Sequence, residues 1–162
     1  MNEFRVRRAT HDDLPVLVDF NDRLAEETES KQLDLDTLRS GIAALLSDPQ
    51  KGRYFVACQE ETVVGQAMHT WEWSDWRNGQ IWWLQSVYIA PEFRQQGVFR
   101  LLFKHLLSKA ESDPNVVGLR LYVENENAPA QATYERLGLL PTSYSVMECL
   151  FQPDHSVNKT AK

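Results

Sequence analysis

The sequence predicts a single mixed α/β domain built on a mostly antiparallel sheet, and three observations carry that prediction. Amphipathic helical runs and β-rich runs interleave along the chain. The β-rich runs between residues 53 and 89 follow one another through short polar turns, as a meander does. At Val87–Leu102 (V-Y-I-A-P-E-F-R-Q-Q-G-V-F-R-L-L) a β-run passes through a turn into an apolar helix. The length of 162 residues suits one domain that buries about 70% of its unfolded surface. We expect that domain to span residues 1–152, with 153–162 a flexible polar tail.

The elements follow in order. Phe4 to Arg8 alternates apolar and polar as a strand does, and Thr10, His11, Asp12, Asp13, Leu14 and Pro15 read as a helix start. Leu14, Leu17, Val18 and Leu24 recur at helical spacing, and Leu35, Leu38, Ile42, Leu45 and Leu46 give a second amphipathic helix that ends at Asp48-Pro49. Arg53–Cys58, Thr62–Thr70 and Ile81–Ile89 are β-rich. Asn78-Gly79 signals a hairpin with a type I′ turn, which needs positive φ at both central residues. Val98 to Ala110 offers a broad apolar helix face, Leu119–Val123 another strand, and Asn127 a cap for a helix that stops at Gly138. Tyr144–Phe151 reads as a last strand.

The junction at 94–99 is chemically suited to phosphate. The first N–H groups of a helix lack intrahelical partners and sit at the positive end of its dipole, so an anion at Gln95 to Phe99 satisfies both. Gly97 lets the backbone approach. Arg94, Gln95, Gln96, Gly97, Val98 and Phe99 resemble the Gln/Arg-x-x-Gly-x-Gly/Ala signature of the GCN5-related N-acetyltransferase (GNAT) family, with Phe99 replacing the last small residue. Asn127, Ala130, Tyr134, Leu137 and Gly138 resemble the family's second motif, Asn-x-x-Ala-x-x-x-Tyr-x-x-Leu-Gly-Phe, with Leu139 replacing phenylalanine.

The resemblance implies a fold and a donor. The fold is a GNAT-like α/β (α+β) domain whose sheet of six to seven strands splays after the fourth, flanked by about four helices. The donor is acetyl-CoA, with no metal. Its contacts would be the backbone of Val87, Tyr88 and Ile89, the turn and helix start from Arg94 to Arg100 (Arg94, Gln95, Gln96, Gly97, Val98, Phe99, Arg100), and Asn127, Ala130 and Tyr134. Tyr134 aligns with the tyrosine that protonates the departing thiolate, although its place on the Ala130–Leu137 face also suits simple packing. The first two helices would flank the acceptor.

The proton acceptor is not marked. Relatives that use a carboxylate before the phosphate turn often carry it where this chain has Gln85, which cannot take a proton. Glu72, Asp75, His69 and Glu124 are the nearby alternatives, acting directly or through water, with Glu72 and Glu124 taken as the catalytic candidates beside Tyr134. Each also suits a solvated surface charge. Trp71, Glu72, Trp73, Ser74, Asp75, Trp76, Trp82 and Trp83 place aromatic density beside acids, which suits either a cationic amine held by cation–π contacts or a core or dimer surface.

Composition sets the outer limits. The net charge of −6, from 23 acidic against 17 basic residues, opposes non-specific binding to nucleic acid or anionic membrane. No apolar stretch is long enough to span a bilayer, so a soluble cytoplasmic location is expected. Cys58 and Cys149 lack metal or dithiol spacing and read as reduced core thiols. No Gly-Lys-Ser/Thr ending follows the glycine turn, which argues against a nucleotide phosphotransferase. The reading is an acetyl-CoA-dependent N-acetyltransferase acting on a small-molecule, peptide or protein amine by direct attack in a ternary complex. A non-catalytic acyl-CoA sensor is the alternative, and a homodimer remains open.

Overall fold

The computed structural model describes residues 3–151 and the backbone of 157–158. The chain runs β1 (Phe4–Arg8), α1 (Leu14–Glu29), β2 (Lys31–Gln32), α2 (Leu35–Ser47), β3 (Arg53–Gln59), β4 (Thr62–Ser74), β5 (Gly79–Ile89), α3 (Val98–Ser112), β6 (Val116–Leu121), α4 (Ala128–Arg136) and β7 (Val157–Asn158). Five strands form one sheet in the order β1-β3-β4-β5-β6, antiparallel at every step until β6, which lies parallel to β5. The α3 crossover is what makes that last pairing parallel, because parallel neighbours need a long connection.

Local chemistry fixes the helix starts. A short 3-10 turn at His11–Asp13 precedes α1. The buried Asp13 carboxylate accepts the Thr10 backbone N–H at 2.8 Å and both guanidinium nitrogens of Arg7 at 2.7 and 2.8 Å. Those bonds, the Arg7 pair first, hold the Asp13 carboxyl below its ordinary range and tie the helix start to β1. Asp34 caps α2 by accepting the Thr37 N–H at 2.8 Å.

Alternation along β3 divides the core between the two sheet faces. Phe55 and Ala57 turn to one side, where Trp82, Leu84, Val98, Leu102, Phe103, Leu106 and Ala110 complete a cluster under α3. Tyr54, Val56 and Cys58 turn to the other and meet Leu17, Val18 and Ile42 from α1 and α2. Each fully buried side chain such as Leu102 or Leu17 contributes about 1.5–3 kcal/mol.

Four expectations change in detail. Among the described residues the main sheet has five strands, not six or seven, with β2 and β7 forming a separate antiparallel pair. Residues 144–151 are not a strand, and Tyr144, Val146, Met147, Leu150 and Phe151 are all exposed. They pair with no strand among the described residues, and without a partner a β-pattern buries nothing. Cys149 is therefore exposed while Cys58 is buried as expected. The β4–β5 hairpin exists, but Ser74 pairs with Gly79, so four residues (75–78) form the loop, and only Asn78 has positive φ (48°) of the Asn78-Gly79 pair. Gly79 is required for another reason: a Cβ there would collide with Val117 Cγ1. Apart from the β7 backbone, the expected tail at 153–162 lies outside the described residues.

Candidate active site

The site forms where β5 outruns β6. The two strands pair from Gln80 with Val116 to Leu84 with Leu121, after which β5 continues to Ile89 held only by β4 on its other edge. This is the expected splay after the fourth strand of the sheet. Within the unpaired stretch Ser86 adopts φ 50°, beside an irregular register on β4, and its carbonyl accepts the Gln66 Nε2–H at 3.1 Å. A left-handed residue inside a strand re-aims the chain, a device common beside active sites. A cleft of about 1780 Å³ opens at the splay, walled by α1 residues such as Asn21, Leu24 and Thr28, by Trp83, Gln85, Ser86 and Val87 of β5, by Arg120 and Tyr122, and by Tyr134.

Past β5 the chain makes a 3-10 turn at Pro91–Phe93 and a further turn into α3. Gln95 (φ 62°) and Gly97 (φ 83°) are both left-handed, and no side chain caps the start of α3 at Gly97. A Cβ at Gly97 would meet nothing within 4 Å, so the glycine answers to its φ and to the open space outside, not to a protein neighbour. The helix start therefore offers backbone N–H groups and the positive dipole end to an anion. Gln96 folds back, its Nε2 donating to the Glu92 carbonyl at 2.7 Å. Val98 is buried, Phe99 half-buried, and Arg100 exposed.

Arg94 points elsewhere. Its Nε donates to the Ile89 carbonyl at 2.9 Å, its Nη2 pairs with Glu27 of α1 at 2.6 Å, and its guanidinium lies 5.4 Å from the Tyr88 ring centroid. The Tyr88 hydroxyl donates to the same Glu27 carboxylate at 2.9 Å, and burial together with that carboxylate pushes its pKa up. Tyr88 packs on Phe20, so its side chain belongs to the α1 side, while Val87 joins the α3-side core and Ile89 is buried. Side chains of this stretch are structural, and the backbone is what faces the splay.

On the opposite wall, Asn127 accepts the Ala130 N–H at 3.2 Å and caps α4. Tyr134 lies on that helix with its ring 5.7 Å from Phe99, joining the second motif to the phosphate turn. Burial raises the Tyr134 pKa, so the phenol keeps its proton at neutral pH. Phe99, where the signature has a small residue, is thus the ring on which Tyr134 leans.

The proton-acceptor candidates separate. His69 is fully buried on the α3 side, stacked 3.8 Å from Trp82, and neither ring nitrogen has a hydrogen-bond partner among the described residues. Burial, with smaller contributions from the Arg53 and Arg8 charges and an opposing one from the Thr70 backbone, lowers its pKa to about 4. It is a neutral core residue. Asp75 sits at the hairpin tip and accepts the Trp76 backbone N–H at 2.9 Å, at the far end of the ribbon from the phosphate turn. Gln85 donates to Thr70 Oγ1 at 2.8 Å. Glu124 lines the cleft, with one carboxylate oxygen accepting the Glu126 N–H at 2.9 Å. Glu72 accepts the Trp83 indole N–H and pairs with Arg120 Nη1 at 3.1 Å.

The tryptophans divide as well. Trp71 and Trp82 enclose His69, Trp73 and Trp76 are exposed near the hairpin tip, and of the group Trp83 lines the cleft. Sequence reading missed Arg120 and Tyr122, although alternation in G-L-R-L-Y-V-E already put them on one face.

Known proteins give an independent view of this arrangement. A family model described as acetyltransferase (GNAT) family matches residues 16–139. A solved structure described as a possible acetyltransferase from Clostridium difficile 630 is 46% identical, with a TM-score of 0.87 over 92% of this chain and 98% of that one. A thialysine N-epsilon-acetyltransferase of Caenorhabditis elegans is 27% identical over 162 residues, covering 99% of both chains. An N-alpha-acetyltransferase of Saccharolobus solfataricus is 26% identical over 145 residues, 83% of this chain and 79% of that protein.

Proposed function

The chain belongs to the GNAT acetyltransferase family, and from that premise we propose that it moves an acetyl group from acetyl-CoA to a primary amine by direct attack, with both substrates bound at once. One observation carries the reading: the uncapped start of α3, with left-handed Gln95 and Gly97, adjoins the stretch of β5 that has lost β6 as a neighbour. These features fit the donor. The backbone of residues 95–100 suits the pyrophosphate, and the free edge of β5 at Ser86–Ile89 suits an extended amide-bearing arm.

When bound, acetyl-CoA supplies an activated acyl carbon on a thiol leaving group. The chain's own residues do the rest. A backbone N–H of the Val87–Ile89 stretch polarises the thioester carbonyl, as preorganised donors do for a developing oxyanion. Tyr134 donates its hydroxyl proton to the departing sulfur, and burial keeps that proton on the phenol at neutral pH until then. Asn127 and Ala130 hold Tyr134 in place through the α4 cap. Glu124, exposed in the cleft wall, receives the amine's proton through water. The oxygens of Glu72 are already engaged by Trp83 and Arg120, so it orients the acceptor instead of taking its proton. Arg94 positions the turn from behind.

The relatives' names specify an ε-amine in one case and an α-amine in the other, so they leave the acceptor open. The test is titration calorimetry with acetyl-CoA followed by a thiol-release assay against amino acids, polyamines, aminoglycosides and peptides. Micromolar binding with amine-dependent release supports transfer. Binding without release by any amine supports the sensor reading, which the engaged Gln85 and Glu72 favour. No binding, once copurified coenzyme is excluded, overturns both.

A further inference from the structure

The bend at the splay is held from outside its own strand. Between the pairs Gln66–Tyr88 and Met68–Gln85, β4 has one residue, Ala67, and β5 has two, Ser86 and Val87. Two residues opposite one make a β-bulge, and the first of them, Ser86, is left-handed at φ 50°. Glycine ordinarily fills that place in such a bulge, because a Cβ there is strained. With serine in the position, neighbouring groups have to hold the conformation.

Three buried side chains from three other elements do so. Gln66 of β4 is fully buried and donates its Nε2–H to the Ser86 carbonyl at 3.1 Å. The Tyr54 hydroxyl of β3, also buried, meets the Ser86 side chain and accepts the Nδ2–H of Asn21 of α1 at 3.1 Å. Asn21 is locked in turn to the Leu17 carbonyl at 2.8 Å. Gln66 Oε1 has no partner among the described residues. A buried amide left half unsatisfied is poor core packing, so what Gln66 contributes is its grip on Ser86.

Peptide planarity turns that grip into an aim. The peptide between Ser86 and Val87 is trans, so its carbonyl and its N–H point in opposite directions. The carbonyl is drawn towards Gln66 on β4, and the Val87 N–H is therefore turned away from β4, to the side where β6 has stopped pairing at Leu84. Resting on the transferase reading above, we propose that Gln66, backed by Tyr54 and Asn21, is the positioning residue that aims the Val87 N–H at the thioester carbonyl of acetyl-CoA. It acts through Ser86 and touches neither substrate.

The experiment follows the carbonyl itself. Acetyl-CoA isotopically labelled at the thioester carbonyl carbon is titrated into the whole chain, and the carbon NMR shift is read beside the calorimetric affinity. In the native chain the bound carbonyl should move downfield of the free one, as a hydrogen-bonded carbonyl does. Gln66→Met should remove most of that displacement and keep acetyl-CoA affinity within a factor of about two, because the start of α3 is untouched. Thiol release with the best amine of the panel above should fall about 10- to 100-fold in kcat. Tyr54→Phe removes one hydroxyl, keeps the ring, and should act in the same direction by less. Ser86→Gly added to Gln66→Met should recover much of both losses, since glycine takes the left-handed conformation unaided. Should Gln66→Met not fold, Tyr54→Phe with and without Ser86→Gly gives the same comparison. A glutamine with a packing role alone would lower stability and leave the bound carbonyl where it was. A bound carbonyl that does not shift in the native chain, that shifts alike in the variants, or whose loss Ser86→Gly leaves unrepaired overturns the positioning role and leaves the transferase reading standing. A native chain that binds no acetyl-CoA, or that releases no thiol with any amine, overturns the transferase reading and the positioning role with it.

Discussion

The two faces of the β4–β5 ribbon carry similar residue types and opposite chemistry. Towards the cleft, Thr70, Glu72, Trp83 and Gln85 all take part in side-chain hydrogen bonds that cross the ribbon. Towards α3, His69, Trp71 and Trp82 pack ring against ring, and His69 Nδ1, His69 Nε2 and Trp82 Nε1 have no partner among the described residues. Strand alternation puts them a single residue apart, yet one face is wet and paired while the other is dry and unpaired. The difference teaches that polar identity in this ribbon does not report reactivity. Access to the splay does. Variants near the splay should change chemistry and leave folding intact, and variants on the dry face should do the reverse.

The largest separation should come from Gly97→Glu at the ribbon's exit. A carboxylate at the start of α3 opposes a pyrophosphate, and a φ of 83° strains any residue with a Cβ. We expect acetyl-CoA affinity to fall about 100- to 1000-fold by calorimetry. Gly97→Asn serves as the control, because asparagine tolerates the left-handed region. If Gly97→Asn also abolished binding, steric approach at this position would matter more than charge.

On the dry face the lever is pH. The folded pKa of His69 is about 4 against 6.5 for the free side chain, so below pH 6.5 the unfolded chain binds a proton that the folded chain refuses. Stability is therefore complete above pH 6.5 and is lost as pH falls towards 4. Between pH 7.5 and 4.5 the loss from this group should approach 2–3 kcal/mol, roughly 1.4 kcal/mol for each unit. His105, also lowered by burial and by Lys109, adds in the same direction. Urea unfolding of the native chain and of His69→Phe at both pH values measures it. A drop that survives in His69→Phe would place the acid sensitivity elsewhere, for instance at His105.

These two regions also differ in how far the sequence reveals them. The turn before α3 is local: a glycine, a helix start and a preceding strand lie within Val87–Leu102, so a linear motif describes it, and the strand, turn and helix order is the one the structure has. The antiparallel meander was legible for the same reason, whereas the splay, a relation between β5 and β6, came only from the family resemblance. The Glu72–Trp83–Arg120 cluster is non-local. Glu72, Trp83 and Arg120 come from three strands, and no spacing in the chain encodes their meeting. His69 looked like a candidate base because its type suits the role, and nothing in H-T-W-E-W tells which alternate residue turns to the dry side. The side chain of Arg94 shows the converse: a linear motif gives its position in the turn, but not the ion pair its guanidinium makes with Glu27, 67 residues away.

A smaller effect near the splay should come from Tyr134→Phe. The ring stays against Phe99, so the fold and the donor site persist, and only the hydroxyl is lost. We expect kcat to fall about 10- to 100-fold with acetyl-CoA affinity within a factor of about two. An unchanged kcat would mean that the thiolate leaves without this proton and that Tyr134 is there for packing.

The smallest effect tests the strap behind the turn. Glu27 holds both Arg94 Nη2 and the Tyr88 hydroxyl, and the Arg94 and Glu27 side chains are 43% and 39% exposed, which limits such a pair to about 0.2–1 kcal/mol. Glu27→Gln should therefore weaken acetyl-CoA binding by no more than about fivefold, because the turn loosens while its backbone N–H groups remain. The sign is what discriminates. If Arg94 were instead a pyrophosphate ligand held back by Glu27, freeing it would tighten binding, and raising salt would erase the gain as it screens an exposed charge. A weaker, nearly salt-independent response in the variant makes Arg94 a support for the turn, and leaves phosphate recognition to the backbone of α3.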